Sequence, residues 1–121
     1  MYGNQKKTLN EKSIFEPVSP YASAKLLAYW NTKIYRQAYG IFASNGIMFN
    51  HESPERGENF ISKKTTKAVA EIYLGLRDVL YVGNLNSYRD WGYAGDYVEA
   101  MWKIMQYKNP DDFVIATNKT C

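Results

Sequence analysis

The pair Tyr21 and Lys25 is the first candidate for chemistry in this sequence. The two residues are spaced i,i+4, so in a helix their side chains share a face. A lysine ammonium lowers the pKa of a neighbouring phenol, and the tyrosinate can take a proton from a substrate hydroxyl near neutral pH. Spacing alone does not select this pair, because 11 Tyr and 11 Lys in 121 residues give about one such pair by chance. The sequence contains two more, Tyr2/Lys6 and Tyr29/Lys33.

The context of Tyr21 distinguishes it from the other tyrosines. It follows Ser19-Pro20, in which Ser is a good N-cap and Pro at the first helical position loses only an amide that would be unpaired anyway. Apolar residues then recur at helical spacing until Gly40, so we predict a helix over 20–39. Its predicted inward residues are Ala24, Leu27, Ala28, Ile34, Tyr35 and Ala38.

His51 is the only histidine and lies in a polar loop over 50–59. An isolated histidine in such a loop is more often a surface residue than a ligand. The acidic residues lack zinc-type spacing, so we predict no metal site. Without further information, Lys63, Lys64 and Lys67 are typical of a solvated helix face. Arg89 can equally pair with Asp90 or cap a helix.

The remaining pattern alternates helices with short apolar runs. Residues 41–49, 78–83 and 113–116 are predicted strands, and 60–74 and 94–107 are predicted helices. The predicted inward residues are Ile61, Ala68, Val69 and Ile72 in the first of these helices, and Tyr97, Val98, Met101, Trp102 and Met105 in the second. We expect Trp30, Trp91 and Trp102 to be packed. Such alternation predicts an α/β fold with crossover connections.

The chain is expected to be one partial domain of a larger α/β protein, because it has no Gly-x-Gly-x-x-Gly phosphate loop. We divide it into a surface loop over 1–18, a segment with the first helix and strand over 19–57, and later helices and strands over 58–121. Gly75 is expected to close the second helix.

Composition narrows the function classes. The chain is 45% apolar and 22% charged, which excludes disorder. A net charge of +3 with no basic stripe argues against nucleic-acid binding, and no apolar run could span a membrane. The one cysteine, Cys121, is treated as inert and fits a reducing compartment, so a cytoplasmic location is expected.

Four segments carry a family resemblance. SPYASAKLLAYW (19–30) resembles the active-site helix of extended short-chain dehydrogenase/reductases that act on nucleotide sugars. NGIMFNHESPERGENF (45–60), GNLNSYRDWGYAGDYVEAMW (83–102) and DDFVIAT (111–117) narrow the match to the GDP-mannose 4,6-dehydratase family. The resemblance runs from residue 2 to about 117, and neither NHESP nor RDWG follows from generic α/β composition.

The resemblance implies a fragment of a Rossmann-like doubly wound parallel sheet with part of the substrate-binding region. It implies a lyase that converts GDP-mannose to GDP-4-keto-6-deoxymannose, with NADP as cofactor. Tyr21 would be the base for the 4-hydroxyl, and Lys25 would hold the nicotinamide ribose. His51 and Arg56 would bind NADP. Asn50, Lys64 and Arg89 are the candidates for the GDP part of the substrate.

One departure from the family and three alternatives accompany this interpretation. The family commonly has two adjacent arginines where this chain has Glu55 and Arg56, and this charge reversal bears on NADP affinity and subunit assembly. The resemblance implies that the full-length protein is a homo-oligomer, either a dimer or a tetramer.

Because the family's Thr and Glu acid/base precede the segment matching Met1, the chain alone is expected to be inactive. The alternatives are another nucleotide-sugar dehydratase or epimerase, a non-catalytic remnant and, least favoured, a nucleic-acid module.

Overall fold

The computed structural model describes residues 1–121, which form two compact units. Unit 1 consists of Met1–Met48 and Val98–Ile115, and unit 2 consists of Phe49–Tyr97 and Ala116–Cys121. In chain order the elements are α1 (Pro20–Tyr39), β1 (Asn45–Met48), β2 (Asn50–Glu52), α2 (Ile61–Tyr73), β3 (Trp91–Tyr93), α3 (Ala94–Met105) and β4 (Asp112–Ile115). None of these helices has the length and apolar character needed to cross a membrane.

Helix α1 has the bounds that its capping residues predict. The Ser19 Oγ accepts a hydrogen bond from the Ala22 amide at 3.1 Å, and Pro20 occupies the first turn. At the other end Gly40 adopts φ +63°, and its amide donates to the Arg36 carbonyl. The left-handed conformation costs glycine little, so the helix ends there.

Unit 1 contains the parallel pair of β1 and β4, with Asn45 opposite Asp112 and Met48 opposite Ile115. The strand predicted over 41–49 is shorter than expected, because residues 41–44 form a loop that hydrogen-bonds to α1. There the Arg36 Nη1 donates to the Ala43 carbonyl at 3.0 Å. The strand predicted over 113–116 begins and ends one residue earlier.

The carboxylate of Asp112 joins α1 to both strands of unit 1. Its side chain is 8% exposed. It accepts hydrogen bonds from the Tyr29 hydroxyl at 2.7 Å, the Arg36 Nη2 at 3.0 Å and the Asn45 Nδ2 at 2.9 Å. The Lys33 ammonium lies 3.4 Å from the same carboxylate. Because these donors come from α1 and β1, this group, called the Asp112 cluster below, fixes the helix against the strand pair.

The first 18 residues are a loop, as predicted, but they are not merely a surface segment. Tyr2 is buried, and its ring stacks on Phe15 at 5.0 Å. Phe15 in turn meets the Tyr29 ring edge-on at 4.8 Å. The loop therefore supplies aromatic side chains to the core, which a search for regular apolar periods does not detect.

The prediction that the apolar stripe of α1 faces inward is wrong. Leu27, Ile34 and Tyr35 are exposed, whereas Ala22 and Tyr29 are the buried residues of this helix. The buried side also carries Lys33 and Arg36, whose cationic ends reach Asp112. A search for apolar residues misses such a face. The expected packing of all three tryptophans is likewise not observed, since Trp30, Trp91 and Trp102 are exposed by 36% or more.

Unit 2 contains the second parallel pair, β2 with β3, in which His51 lies opposite Gly92. The sequence pattern predicted neither three-residue strand as a separate element. Helix α2 agrees with the prediction to within one residue at each end, and Gly75 follows it with φ +70°. Of the residues predicted to face inward, only Ala68 is buried, while Ile61, Val69 and Ile72 are exposed.

The strand predicted over 78–83 is not formed. Val79, Tyr81 and Val82 are exposed, and no other strand hydrogen-bonds to this segment. A short apolar run becomes a strand only where a neighbour pairs with it, which the run itself does not reveal. Helix α3 starts where predicted and ends two residues earlier. Tyr97 is its buried residue, whereas Val98, Met101, Trp102 and Met105 are exposed.

Candidate active site

Tyr21 and Lys25 share a face in the first turns of α1, as their spacing predicts. The Lys25 Nζ lies 5.6 Å from the centroid of the Tyr21 ring, which is cation–π geometry. Tyr21 is 72% exposed, and its hydroxyl forms no hydrogen bond within the chain. The phenol oxygen is therefore available to a ligand.

The other two Tyr/Lys pairs are committed to structure. The Tyr29 hydroxyl donates to Asp112, and burial, together with that bond and the Asp112 charge, raises the pKa of Tyr29 far above its ordinary value. The Tyr2 hydroxyl donates to the Asn10 carbonyl at 2.8 Å. Burial and the charges of Glu11 and Asp112 raise the pKa of Tyr2 to about 12. Neither phenol suits a base at neutral pH, so the structure separates Tyr21 from the pairs that spacing could not exclude.

In unit 2, His51 is held on β2 by two contacts. Its Nδ1 lies 2.9 Å from the Phe49 carbonyl, which can only accept, so Nδ1 carries the hydrogen. Its ring stacks on that of Tyr97 with centroids 4.7 Å apart. The bonded Nδ1 leaves Nε2 as the nitrogen that can meet a ligand. The preceding residue, Asn50, is exposed at the start of β2.

Gly92 makes the stack of His51 on Tyr97 sterically feasible. A Cβ at Gly92 would lie 2.4 Å from the Tyr97 Cε2 and 3.0 Å from Thr117. Tyr97 is 2% exposed, so its ring has no room to move aside. Burial, and then the Asp90 charge, raise the pKa of Tyr97. Gly92 was not predicted to have this role, although it lies in the RDWG segment.

Arg56 lies in the loop between β2 and α2 and is fixed by its neighbours. Its Nε is 2.9 Å from the Glu52 Oε2, and its guanidinium lies 3.5 Å from the Phe60 ring centroid. Glu55, the charge reversal, is exposed and forms no ion pair. Neither Glu52 nor Phe60 was predicted as a site residue, because contacts within an irregular loop have no periodic signal in the sequence.

The lysines of α2 are not simply a solvated face. Lys64 Nζ donates to the Tyr81 carbonyl at 2.8 Å, Lys63 Nζ donates to the Pro54 carbonyl, and Lys67 pairs with Glu58. Lys64 also lines an open surface cleft of about 450 Å³. The other residues lining that cleft are Arg77, Asp78, Val79 and Tyr81. Asp78 is an acid at the same cleft, and the Arg77 Nε lies 3.0 Å from the Glu71 carboxylate, so Lys64 is the lining cation that forms no ion pair.

Arg89 neither pairs with Asp90 nor caps a helix. Its Nη1 donates to the Tyr88 carbonyl at 2.7 Å, and its backbone pairs with Cys121. Asp90 is buried and accepts from the Thr117 amide and hydroxyl. Asn50, Lys64 and Arg89 form no hydrogen bonds with one another, so unit 2 presents them as separate polar groups.

Three curated proteins align with 90–98% of this chain. It is 54% identical over 119 residues to GDP-mannose 4,6 dehydratase 2 of Arabidopsis thaliana, which covers 98% of this chain and 32% of that protein. It is 58% identical over 109 residues to GDP-mannose 4,6-dehydratase of Yersinia enterocolitica, and the alignment covers 90% of this chain and 29% of that protein. It is 52% identical over 120 residues to GDP-mannose 4,6 dehydratase of Homo sapiens, and the alignment covers 98% of this chain and 32% of that protein. The chain thus spans about a third of the length of these curated relatives.

Solved structures share the fold. RMD from Pseudomonas aeruginosa, complexed with NADPH, superimposes with a TM-score of 0.92 at 22% identity, covering 99% of this chain and 43% of that one. The dTDP-glucose 4,6-dehydratase of Bacillus anthracis, in complex with NAD, superimposes with a TM-score of 0.83 at 24% sequence identity. This superposition covers 99% of this chain and 38% of that one. These likenesses confirm the predicted α/β, Rossmann-like class with parallel strands. The family model described as GDP-mannose 4,6 dehydratase matches residues 1–121, so the chain belongs to the GDP-mannose 4,6-dehydratase family.

Proposed function

We propose that this chain is part of an NADP-dependent lyase that converts GDP-mannose to GDP-4-keto-6-deoxymannose. The observation that carries the proposal is the free hydroxyl of Tyr21 beside Lys25, because the other two Tyr/Lys pairs have their phenols committed to hydrogen bonds. The family membership supplies the substrate class.

Each unit, taken by itself, offers groups that would suit a phosphorylated nicotinamide cofactor. In unit 1, Lys25 is an exposed cation next to Tyr21. In unit 2, Arg56 offers its two Nη groups and His51 offers Nε2. Lys25 would hold the nicotinamide ribose, and Arg56 and His51 would bind elsewhere on NADP. When bound, the cofactor supplies a hydride acceptor at C4 and a hydride donor at C6, so loss of water across C5 and C6 involves no net redox change.

Tyr21 would remove the proton from the hexose 4-hydroxyl, and Lys25 would stabilise the negative charge that develops on the phenol oxygen. On the nucleotide side, Lys64 lines an open cleft and would donate to the diphosphate of GDP. Asn50 and Arg89 are the further candidates for GDP. The chain has no glycine-rich phosphate loop, so we expect these 121 residues alone not to convert GDP-mannose.

We test the catalytic role in a chimera in which residues 1–121 replace the matching third of the Yersinia relative. Tyr21→Phe is expected to lower kcat for GDP-mannose by about 10²–10⁴-fold, the usual contribution of a general base. Tyr39→Phe is the matched control, because Tyr39 lies at the other end of α1 and is 70% exposed. Equal activities of the two variants would overturn the role of Tyr21.

Calorimetric titration tests the nucleotide specificity on the chain itself. We expect GDP-mannose to bind more tightly than UDP-glucose, and Lys64→Gln to weaken GDP-mannose by about tenfold through loss of one charge-assisted hydrogen bond. Lys67→Gln is the control, since it removes one charge from the same helix but from a residue that already pairs with Glu58. Preference for the UDP-sugar would favour another nucleotide-sugar dehydratase or epimerase.

We also propose a cytoplasmic homo-oligomer, dimer or tetramer, for the full-length protein. The exposed thiol of Cys121, the only cysteine, fits a reducing compartment. The exposed apolar residues Leu27 and Ile34 of α1 fit a face that is covered in an assembly. Light scattering on the chimera tests the oligomer, and a monomeric chimera would contradict it.

A further inference from the structure

Two neighbouring side chains constrain the guanidinium of Arg56 in the loop between β2 and α2. The Glu52 Oε2 lies 2.9 Å from Nε, and the Phe60 ring covers one face at 3.5 Å. Glu52 is itself fixed, because the Ser62 hydroxyl donates to the same oxygen at 2.8 Å. Phe60 precedes α2 and is about half exposed, so its contact with Arg56 is not a by-product of deep burial.

The backbone around this group is also held in place. The Arg56 amide donates to the Ser53 carbonyl at 3.0 Å, and the Phe60 amide donates to the Gly57 carbonyl at 3.1 Å. Lys63 Nζ reaches the Pro54 carbonyl at 3.1 Å. These bonds close the loop into successive turns, so Glu52 and Phe60 both reach Arg56 although three residues separate each from it.

The arrangement leaves only one edge of the guanidinium for a ligand. Nε is buried and pairs with the Glu52 carboxylate at 2.9 Å, without the angle of a hydrogen bond, and Phe60 covers one face of the guanidinium. The two Nη groups form no hydrogen bond within the chain. The Arg56 side chain keeps 34% of its surface exposed. Two parallel N–H groups match two oxygens of a phosphate, which is the bidentate geometry that arginine provides.

We propose that Glu52 and Phe60 are positioning residues that hold Arg56 for end-on, bidentate donation to a phosphate group. This inference rests on the proposed function, in which Arg56 binds NADP. It extends that function by assigning roles to two residues that need not touch the ligand. The shared chemistry is a phosphate, which can belong to the cofactor's ribose, to its pyrophosphate linkage or to the nucleotide of the substrate.

Positioning and simple electrostatics predict opposite effects of the same charge removal. If Glu52 acted only through its charge, neutralising it would strengthen anion binding. If it holds Arg56, neutralising it frees a long side chain, and ordering such a side chain again costs roughly 2- to 12-fold in affinity. Glu55 supplies the matched control, because it is an acid in the same loop, exposed and without an ion pair.

The experiment titrates NADPH, NADH and GDP into the 121-residue chain and its variants. We expect Glu52→Gln to lower the affinity for the phosphate ligand by roughly 3- to 10-fold. Glu55→Gln is expected to raise that affinity by about twofold. An effect confined to NADPH assigns the ribose phosphate. An effect shared with NADH assigns the pyrophosphate, and an effect on GDP assigns the substrate. Strengthening by both variants would overturn the inference.

Phe60 is tested by a conservative pair. Phe60→Leu, which removes the ring, is expected to weaken the same ligand by roughly 2- to 5-fold, and Phe60→Tyr, which keeps it, is expected to bind as the parent does. Equal affinities of the Leu and Tyr variants would contradict the role of Phe60.

A ligand-free measurement separates failure of this inference from failure of the proposed function. The ¹⁵N heteronuclear NOE of the Arg56 Nε–H is expected to be high in the parent chain and low in Glu52→Gln. A low value in the parent overturns positioning whatever binds. A high value in the parent, combined with no binding of NADPH, NADH or GDP, overturns the ligand role of Arg56 in the proposed function. In that case Glu52 and Phe60 hold Arg56 in place, but not for a phosphate.

Discussion

Unit 1 and unit 2 both use ion pairs of similar length, but only unit 1 buries one. The Asp112 carboxylate is 8% exposed and lies 3.0 Å from the Arg36 guanidinium, whose side chain is also mostly buried. In unit 2 the Lys67–Glu58 pair is 2.8 Å long and exposed at both ends. A buried charge must be matched by protein donors because water no longer solvates it, whereas an exposed pair replaces water contacts of similar value.

The pKa shifts reflect this difference in environment. Burial opposes ionisation of Asp112, but hydrogen bonds from Asn45, Tyr29 and Arg36 outweigh it together and hold the pKa of Asp112 below its ordinary value. The Lys67 hydrogen bond and charge lower the pKa of Glu58 in full contact with solvent. Both shifts are downward, yet only the first accompanies a network that fixes a helix to a strand pair.

The two units also present their candidate site residues differently. Unit 1 carries Tyr21 and Lys25 on a helix of 20 residues that the Asp112 cluster anchors. Unit 2 carries Arg56 and Arg89 on irregular segments, where short-range contacts from Glu52 and the Tyr88 carbonyl hold them. We therefore expect substitutions in the Asp112 cluster to act through global stability, and substitutions of the residues that hold Arg56 and Arg89 to act locally.

The largest expected effect is that of Asp112→Ala. It leaves Arg36 and the Tyr29 hydroxyl buried without their acceptor, and breaking a buried pair in this way typically costs about 3–5 kcal/mol. The measurement is the free energy of unfolding from urea titration followed by tryptophan fluorescence. A loss below about 1 kcal/mol would show that water reaches the cluster and would remove the contrast between the units.

Gly92→Ala is expected to have the next largest effect. The new methyl group would meet the buried Tyr97 ring, and overpacking of this kind costs about 1–3 kcal/mol. Gly83→Ala is the control in the same unit, because a Cβ there meets no atom within 4 Å. Circular dichroism during urea unfolding compares the two. Equal stabilities would mean that the stack of His51 on Tyr97 shifts at little cost.

The pH dependence of stability sharpens the contrast further. Because the folded-state pKa of Asp112 is lower than its ordinary value of 3.8, its contribution is present above that value and is lost as the pH falls through the folded-state pKa. Urea unfolding at pH values from about 6 down to about 3 should show a loss in the parent chain that is smaller in Asp112→Asn. The same acid slope in both would assign the loss to other carboxylates.

The smallest expected effect is that of Glu58→Gln. It breaks the short Lys67–Glu58 ion pair, but both groups remain fully hydrated, so the urea midpoint should not change measurably. A destabilisation comparable to that of Asp112→Ala would refute the idea that burial, and not distance, decides the value of a pair in this chain.

Much of the local structure could be predicted from the sequence. Ser19, Pro20 and Gly40 fix the ends of α1 through local capping and backbone preferences, and these do not depend on the rest of the fold. The family motifs around Tyr21 and His51 likewise depend only on residue order. The 78–83 strand failed because pairing is a property of two segments, and the run contains information about one.

The sequence by itself therefore determined the helices, the parallel α/β class and the family, since these follow from local chemistry and from motifs. The tertiary structure decided which residues became available. It committed the phenols of Tyr2 and Tyr29 to hydrogen bonds and left Tyr21 free. It also brought Glu52 and Phe60 to Arg56. The physical reason is that burial and hydrogen-bond partners depend on neighbours brought together by folding, whereas caps and periodicity act within a few residues.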